Sequence, residues 1–387
     1  MSLVASVLSA EMTPDVQTDL KAEQASFLER VQEFCDKEIL PNTRAWEQAA
    51  EFPKEIWPKL GKVGMLKVLL APEWGGLGYS CETYCDMIRL VAKADPALAM
   101  NLAAWNALSF AHLEKYGNDE QRKKYIPPIA SGEWTLAWAL TEPDAGSDAR
   151  HVRTFATPNP DKPGWYKLNG QKMFITNGGN ANLIIVIARV DEKNLTAFLV
   201  ERTDPGYIFK ERLHTVGVSA SNTVAFELKD ADGWHTPCTF EEAISFLFRG
   251  RLGIAGMALG IAEKAFELAV EYSKHREQFG RRLCDMQSVQ NMIADSAMEL
   301  EASRLLVKNG ARLEDMGLPI AKEASYAKLF ASETANRVTD RALQIHGGRG
   351  MWKEFLVEKL WRDAKLTEIG EGASEIQRLV IAKTILK

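Results

Sequence analysis

Cysteine and histidine are scarce in this 387-residue chain, with five of the first and six of the second. Cys35, Cys81, Cys85, Cys238 and Cys284 are too few and too scattered for a disulfide framework at this length. Cys81 and Cys85 are spaced to share one helix face, but two thiols alone are no metal site. The histidines contain no H-E-x-x-H pattern, so a catalytic metal is not expected. Basic residues are not in excess. A net charge of −5 gives no general pull toward nucleic acid or an anionic membrane, though it leaves room for a local basic site for a phosphate. No apolar run approaches the length needed to span a bilayer. The N-terminus, with Glu11, Asp15 and Asp19, lacks the basic-then-apolar form of a secretory signal. The expected location is the cytoplasm, or the mitochondrial matrix if a targeting segment has been removed. No G-x-G-x-x-G follows a predicted strand. Gly347-Gly348-Arg349-Gly350 follows a helical stretch instead, which disfavours a nicotinamide-binding fold.

An apolar fraction of 46% and a charged fraction of 26% describe a globular chain. Its length calls for two or three packed subdomains. Phe27, Val31, Phe34 and Ile39 recur at helical spacing, and the alanine-rich stretch from Asp86 to Leu113 reads as a buried helix pair. From residue 134 the character changes. β-rich runs occupy Trp134 to Leu140, Tyr166 to Leu168, Leu183 to Ala188, Leu195 to Val200 and Val224 to Leu228, between turns rich in Pro, Gly and Asn. After Phe240 helical periods return at Ala243 to His275, Met286 to Glu314, Ile320 to Gln344 and Ser374 to the end. The expected fold is mixed α and β: an N-terminal helical domain (1–133), a middle β-domain (134–238) and a C-terminal helical bundle (239–387).

The most informative stretch is Leu366-Thr367-Glu368-Ile369-Gly370-Glu371-Gly372-Ala373-Ser374-Glu375-Ile376-Gln377-Arg378. Glu371 lies between two glycines, with little steric cover and an adaptable backbone. Ile376, Leu379, Val380 and Lys383 follow a helical period, with Ser374 as the expected N-cap. The residues present a carboxylate on a loop just before a helix. That reads either as a base toward a closely approaching substrate or as a surface glutamate beside a turn.

This run resembles the C-terminal signature of the acyl-CoA dehydrogenase family, in which a Glu in an E-G-T-x-x-I-Q-R context removes the α-proton of an acyl thioester. Five further segments resemble the same family in order: Tyr116-Gly117 through Tyr125-Ile126-Pro127 with Ala130-Ser131-Gly132-Glu133, Leu140-Thr141-Glu142-Pro143-Asp144-Ala145-Gly146-Ser147-Asp148, Asn169 to Gly178, Arg276-Glu277-Gln278-Phe279-Gly280 and Gln344-Ile345-His346-Gly347-Gly348. The resemblance runs from about residue 15 to the end. It implies an N-terminal helical domain, a middle β-barrel or sandwich and a C-terminal four-helix bundle, with FAD as cofactor. It also implies an acyl-CoA substrate, an electron-transfer flavoprotein as acceptor and a homo-oligomer, usually a tetramer of paired dimers.

Carried over by motif, Trp138, Leu140 and Thr141 would contact the flavin ring, and Ser147 a flavin phosphate or the thioester ligand. Phe174 would lie against the ring and Thr176 would donate near N5. The two are separated by one residue on an expected strand, so they should point the same way. Arg276, Gln278, Phe279, Gln287, Gln344, Gly347 and Gly348 match the pyrophosphate and adenine contacts, several of them made across subunits. Glu371 would be the α-proton base. Arg251 matches an arginine that supports the CoA and catalytic-loop region, unless it is a buried ion-pair partner. Gly370 and Gly372 would border the substrate. Some branched-chain relatives carry the base beside Arg251, but Gly250 cannot serve.

Three departures bear on the substrate. Gly370 replaces a common aromatic, which should enlarge the acyl pocket or free the loop. Ala373 replaces a Thr, and Phe248 stands where many relatives have Asp or Asn. The reading is α,β-dehydrogenation of a bulky, branched or cyclic acyl-CoA to the trans-2-enoyl-CoA, with butyryl-like substrates open. Rivals are an oxidase or an enoyl-CoA reductase of the same fold, or a flavoprotein used for binding.

Overall fold

The computed structural model describes residues 14–386. Glu11, read above as part of an acidic N-terminus, lies outside them. The N-terminal helices are α1 (Pro14–Phe34), α2 (Thr43–Ala49), α3 (Ile56–Val63), α4 (Cys81–Ala94), α5 (Pro96–Ala104), α6 (Ala111–Tyr116) and α7 (Asp119–Ser131). The expected buried pair is α4 and α5, the latter running through a π-helical turn at Trp105–Phe110 into α6. Asp95 separates the two. Its Oδ1 accepts from Leu98 N–H at 2.8 Å, and Pro96 takes the first helical position, where no N–H is needed. Cys81 and Cys85 both face the core from α4, and all five cysteines are free.

The middle strands are β1 (Leu136–Ala139), β2 (Phe155–Pro158), β3 (Trp165–Ile175), β4 (Leu183–Arg189), β5 (Leu195–Glu201), β6 (Tyr207–Arg212) and β7 (Val224–Thr236). Pairing runs β4-β2-β3-β7-β5 and returns from β5 to β4, which closes a barrel. β1 pairs parallel to β4 and β6 antiparallel to β7. Strand alternation divides the side chains. Ile184, Val186 and Ala188 of β4 join Ala137 and Ala139 of β1 inside the barrel. Leu183, Ile185 and Ile187 point outward into the helical core, so β4 is apolar on both faces. β2 and β6 were not expected from the sequence.

The C-terminal part comprises α8 (Phe240–His275), a hairpin of β8 (Glu277–Gln278) and β9 (Arg281–Arg282), then α9 (Gln287–Asp315), α10 (Ala321–His346), α11 (Leu356–Ile369) and α12 (Ser374–Ile385). Thr239 and Glu242 start α8 with a capping box. Contrary to the sequence reading, α8 is long and apolar enough to cross a bilayer. Most of its apolar stretch is instead buried inside the molecule, as expected for the central helix of a bundle. α10 packs along it, and α9, α11 and α12 all pack on α10.

One buried ionic cluster joins the three parts. Lys359 of α11 lies 2.5 Å from Asp363 and 3.8 Å from Asp95, with all three side chains almost wholly sealed from solvent. Asp363 Oδ1 also accepts from Val218 N–H of the middle part at 2.6 Å, and Asp95 Oδ2 accepts from Thr43 Oγ1. Burial alone would make such carboxylates costly; the shared lysine and the hydrogen bonds offset that cost.

Candidate active site

The chain leaves α11 with Gly370 N–H donating to Leu366 O at 2.8 Å and re-enters α12 at Ser374. Between them Glu371 has φ +53° and Gly372 φ +98°. A left-handed glutamate costs roughly 1–2 kcal/mol, so the turn has to be held from outside. Three buried side chains on three helices hold it through its carbonyls. Lys328 Nζ of α10 donates to Gly372 O at 2.8 Å, and Gln377 Nε2 of α12 donates to the same oxygen at 2.7 Å. Arg251 Nε of α8 lies 3.5 Å from Glu371 O.

These contacts aim the Glu371 side chain at α8. Its Oε2 is buried without a hydrogen-bond partner among the described residues, although the loop residues are partly exposed. A Cβ built on Gly250 would sit 2.0 Å from that oxygen and 3.0 Å from Leu108 Cδ2. Only glycine leaves the carboxylate its place. One turn on, Gly253 makes the same allowance for Tyr84, whose hydroxyl donates to Ala103 O at 3.2 Å. Burial pushes the Glu371 carboxyl up to about 7, against the opposing pull of Arg251 and Lys328. Burial likewise lowers the Arg251 guanidinium, and brings Lys328 down to about 8. Arg251 is in none of the ion pairs among the described residues. It stacks over Phe248 at 5.2 Å, which gives that departure a local role.

The other side of the site comes from β1. Leu108, Ala111 and Phe246 form an apolar cluster with Ala104, Tyr116, Leu247 and Trp138, so the surroundings of Glu371 and the predicted ring contact Trp138 are continuous. Leu140 and Thr141 follow, and Thr141 O accepts from Met173 N–H at 3.0 Å. Lys172, fully buried, donates to Leu140 O (2.9 Å), Ile187 O (2.8 Å) and Glu142 Oε1 (2.8 Å). Glu142 in turn accepts from the Arg153 and Thr154 N–H groups. The glutamate of this motif is therefore an anchor for the loop.

Three family models match the chain in order: acyl-CoA dehydrogenase N-terminal domain (residues 21–133), middle domain (137–231) and C-terminal domain (240–386). The chain belongs to the acyl-CoA dehydrogenase family. It is 40% identical over 95% of its length to the probable acyl-CoA dehydrogenase YngJ of Bacillus subtilis, 99% of which is covered. It is 36% identical over 92% of its length to the CarC subunit of the caffeyl-CoA reductase-Etf complex of Acetobacterium woodii, 96% of which is covered. The solved butyryl-CoA dehydrogenase of Megasphaera elsdenii superposes with a TM-score of 0.90 at 35% identity, covering 94% of this chain and 98% of that one. The family catalyses oxidation at CH–CH bonds, and its members bind FAD.

The acyl-CoA dehydrogenase residues carried over for the flavin fall into two groups. Trp138, Leu140, Thr141, Ser147, Phe174 and Thr176 lie on the middle domain. Trp138 Nε1 is buried without a partner, and Phe174 is 59% exposed with φ +59°. An orphaned donor and an uncovered ring on the same domain fit a flat ligand with a polar edge. Phe174 and Thr176 do not share a strand face, however. A register shift interrupts β3 between Lys172 and Ile175, and Thr176 already lies in the turn. Ser147 is exposed on the loop beyond the Glu142–Ala145 bridge.

The second group gathers at one end of the bundle. Arg276 caps α8, Gln278 and Phe279 are in the hairpin, Gln287 opens α9, and Gln344, Gly347 and Gly348 close α10. Tyr272 stacks on His346 at 4.4 Å and ties the ends of α8 and α10 together. Phe279 is 95% exposed. Gly347 has φ +59° and ψ −139°, a conformation reserved for glycine.

Ser374 is not the N-cap of α12. Ala373 holds that position without a side-chain bond, and the Ser374 hydroxyl is buried with no partner. The turn through the two positive-φ residues, Glu371 and Gly372, ends one residue earlier than expected, so the helix already begins at Ser374. Lys328, Gln377 and Lys172 were not picked out from sequence. For Lys328 a signal existed: it shares the buried face of α10 with Ala324, Ala327 and Ala331. A lone lysine on an alanine face calls for a reason.

Proposed function

We propose that this chain oxidises an acyl-CoA thioester at its α,β bond to the trans-2-enoyl-CoA, with Glu371 as the base that takes the α-proton. The observation behind this reading is the buried, unpartnered Glu371 Oε2 against Gly250. A carboxyl raised to about 7 is partly ionised at neutral pH and a stronger base than an ordinary carboxylate, which suits a general base. The Glu371 N–H is the proposed donor to the thioester carbonyl, where charge develops as the α-proton leaves. Arg251 and Lys328 keep the loop and its charge in place. When bound, FAD supplies the acceptor for the β-hydride. Trp138, Leu140, Thr141, Phe174 and Thr176 would hold its ring end, and Arg276, Gln278, Phe279, Gln287, Gln344, Gly347 and Gly348 its far end.

The acyl group is bulky, branched or cyclic. A Cβ at Gly370 would meet nothing nearer than Leu366 at 3.5 Å, so the aromatic missing there leaves room. Electrons pass to an electron-transfer flavoprotein, as the name of the Acetobacterium relative suggests by analogy. The protein works in the cytoplasm as a homotetramer. The same relative motivates a second reading, reduction of an enoyl-CoA, in which protonated Glu371 returns the α-proton.

The test is anaerobic mixing of the yellow protein with linear, branched and cyclic acyl-CoAs while flavin absorbance is followed. Bleaching should be fastest with a branched or cyclic chain. Glu371→Gln should keep its flavin and lose at least ~100-fold in bleaching rate. The rate should rise with pH through about 7, because the carboxyl must give up its proton first. Flavin that no acyl-CoA bleaches, but that is reoxidised by an enoyl-CoA after chemical reduction with dithionite, favours the reductase; full activity in Glu371→Gln excludes the base.

A further inference from the structure

Lys328 is wholly buried, yet it enters no ion pair among the described residues. Burying an ammonium without a carboxylate in contact is costly, and methionine would fill the space more cheaply. Its hydrogen bond goes to Gly372 O, the carbonyl next to the base. Gln377 already reaches that oxygen with a neutral amide, so a hydrogen bond alone does not account for the charge. We propose, on the basis of the reading above, that Lys328 is a positioning residue for Glu371 whose charge is needed: its ammonium holds the left-handed turn that directs the carboxylate onto Gly250 and supports that carboxylate in its ionised form.

The electrostatics agree with the geometry. The charged or titratable groups facing Glu371 are Arg251 from α8, Lys328 from α10 and Tyr84 from α4. Those facing Lys328 are Glu371, Arg251, Glu368 of α11 and Glu375 of α12. Both cations favour the ionised carboxylate against burial. Arg251 stays charged under all ordinary conditions and opposes the charge on Lys328, while Lys328 lies near the edge of its own titration. Loss of the Lys328 charge removes one of the two supports of the ionised base. The pH at which Glu371 becomes active then moves up.

The experiment reads proton transfer apart from redox turnover. Flavin-loaded protein, reduced beforehand, is mixed with an acyl-CoA in D2O, and loss of the α-protium signal is followed by NMR across pH. Glu371 takes the α-proton, its carboxyl exchanges with solvent, and deuterium returns to the same carbon, so no net oxidation occurs. Lys328→Gln retains an amide for Gly372 but no charge. It should keep its flavin, with the midpoint of exchange about one pH unit higher and the rate below that midpoint about tenfold lower. Lys328→Arg should keep the wild-type midpoint. Wild-type midpoint and rate in Lys328→Gln overturn the proposal, as does an equal loss of rate in both variants with no shift. If Lys328→Gln does not fold, Lys328→Arg decides: an unmoved midpoint supports a charge-based role, and one displaced by about a unit overturns it. Absence of exchange in the wild type, or exchange surviving in Glu371→Gln, removes the base assignment and this proposal with it.

Discussion

The tip of Glu371 occupies the volume that a side chain at position 250 would fill. A helix usually gains about 1 kcal/mol when an interior glycine becomes alanine. At Gly250 that gain would come with displacement of the carboxylate. Gly250→Ala should therefore match or exceed the wild-type thermal midpoint, keep its flavin, and lose about a hundredfold in kcat, the usual consequence of misplacing a reacting group by an ångström. A variant with wild-type kcat would show that the carboxylate works from elsewhere. Glu371 stood out in the sequence because glycines flank it. The residues that hold it did not. Lys328 and Gln377 come from helices 44 and 5 residues away from Gly372, and nothing local in the chain declares that they meet.

β1 and the Leu140–Ala145 loop depend on one lysine. Lys172 of β3 serves two carbonyls and the Glu142 carboxylate with no access to solvent. Burial lowers its ammonium to about 8, and the ion pair resists that shift. Lys172→Met leaves Glu142 buried and unpaired, so a loss of roughly 3–5 kcal/mol is expected from denaturant midpoints. Adding Glu142→Gln should recover part of it; no recovery would place the damage in packing instead. Strong elements were legible from sequence: β4 and β5 are continuous apolar runs, and α8, α9 and α10 have long periods. Weak ones were not. β2 ends on Pro158, which reads as a turn, and β6 is a largely exposed strand that, among the described residues, pairs only to β7. α11 was overlooked because Glu358, Lys359 and Asp363 occupy its buried face, where an apolar stripe would have announced a helix.

The three-part order of helices, barrel and bundle could be read from changes in hydrophobic period, and the family resemblance supplied the barrel. What joins the parts could not, because Asp95 and Val218 are distant in sequence from each other and from the Lys359–Asp363 pair of α11. Lys359→Met would leave Asp95 and Asp363 buried without their cation. A loss of about 3–5 kcal/mol at pH 7.5 is expected. The loss should shrink at pH 5.5, since burial holds the Asp363 carboxyl above its ordinary value and, without Lys359 opposing this, it takes up a proton more readily in the folded state than in the unfolded one. Urea midpoints at the two pH values measure it; a loss independent of pH would mean that the lysine acts through packing.

That cluster also sets an order in time. A chain made from its N-terminus carries Asp95 through most of its synthesis without the lysine that neutralises it. The N-terminal helices can form early, but the junction of α4 and α5 cannot be sealed at low energetic cost until α11 has emerged. The last quarter of the chain thus supplies the proposed base together with the cation that lets the first quarter close, and a truncated product is expected to lack the one and leave the other end open.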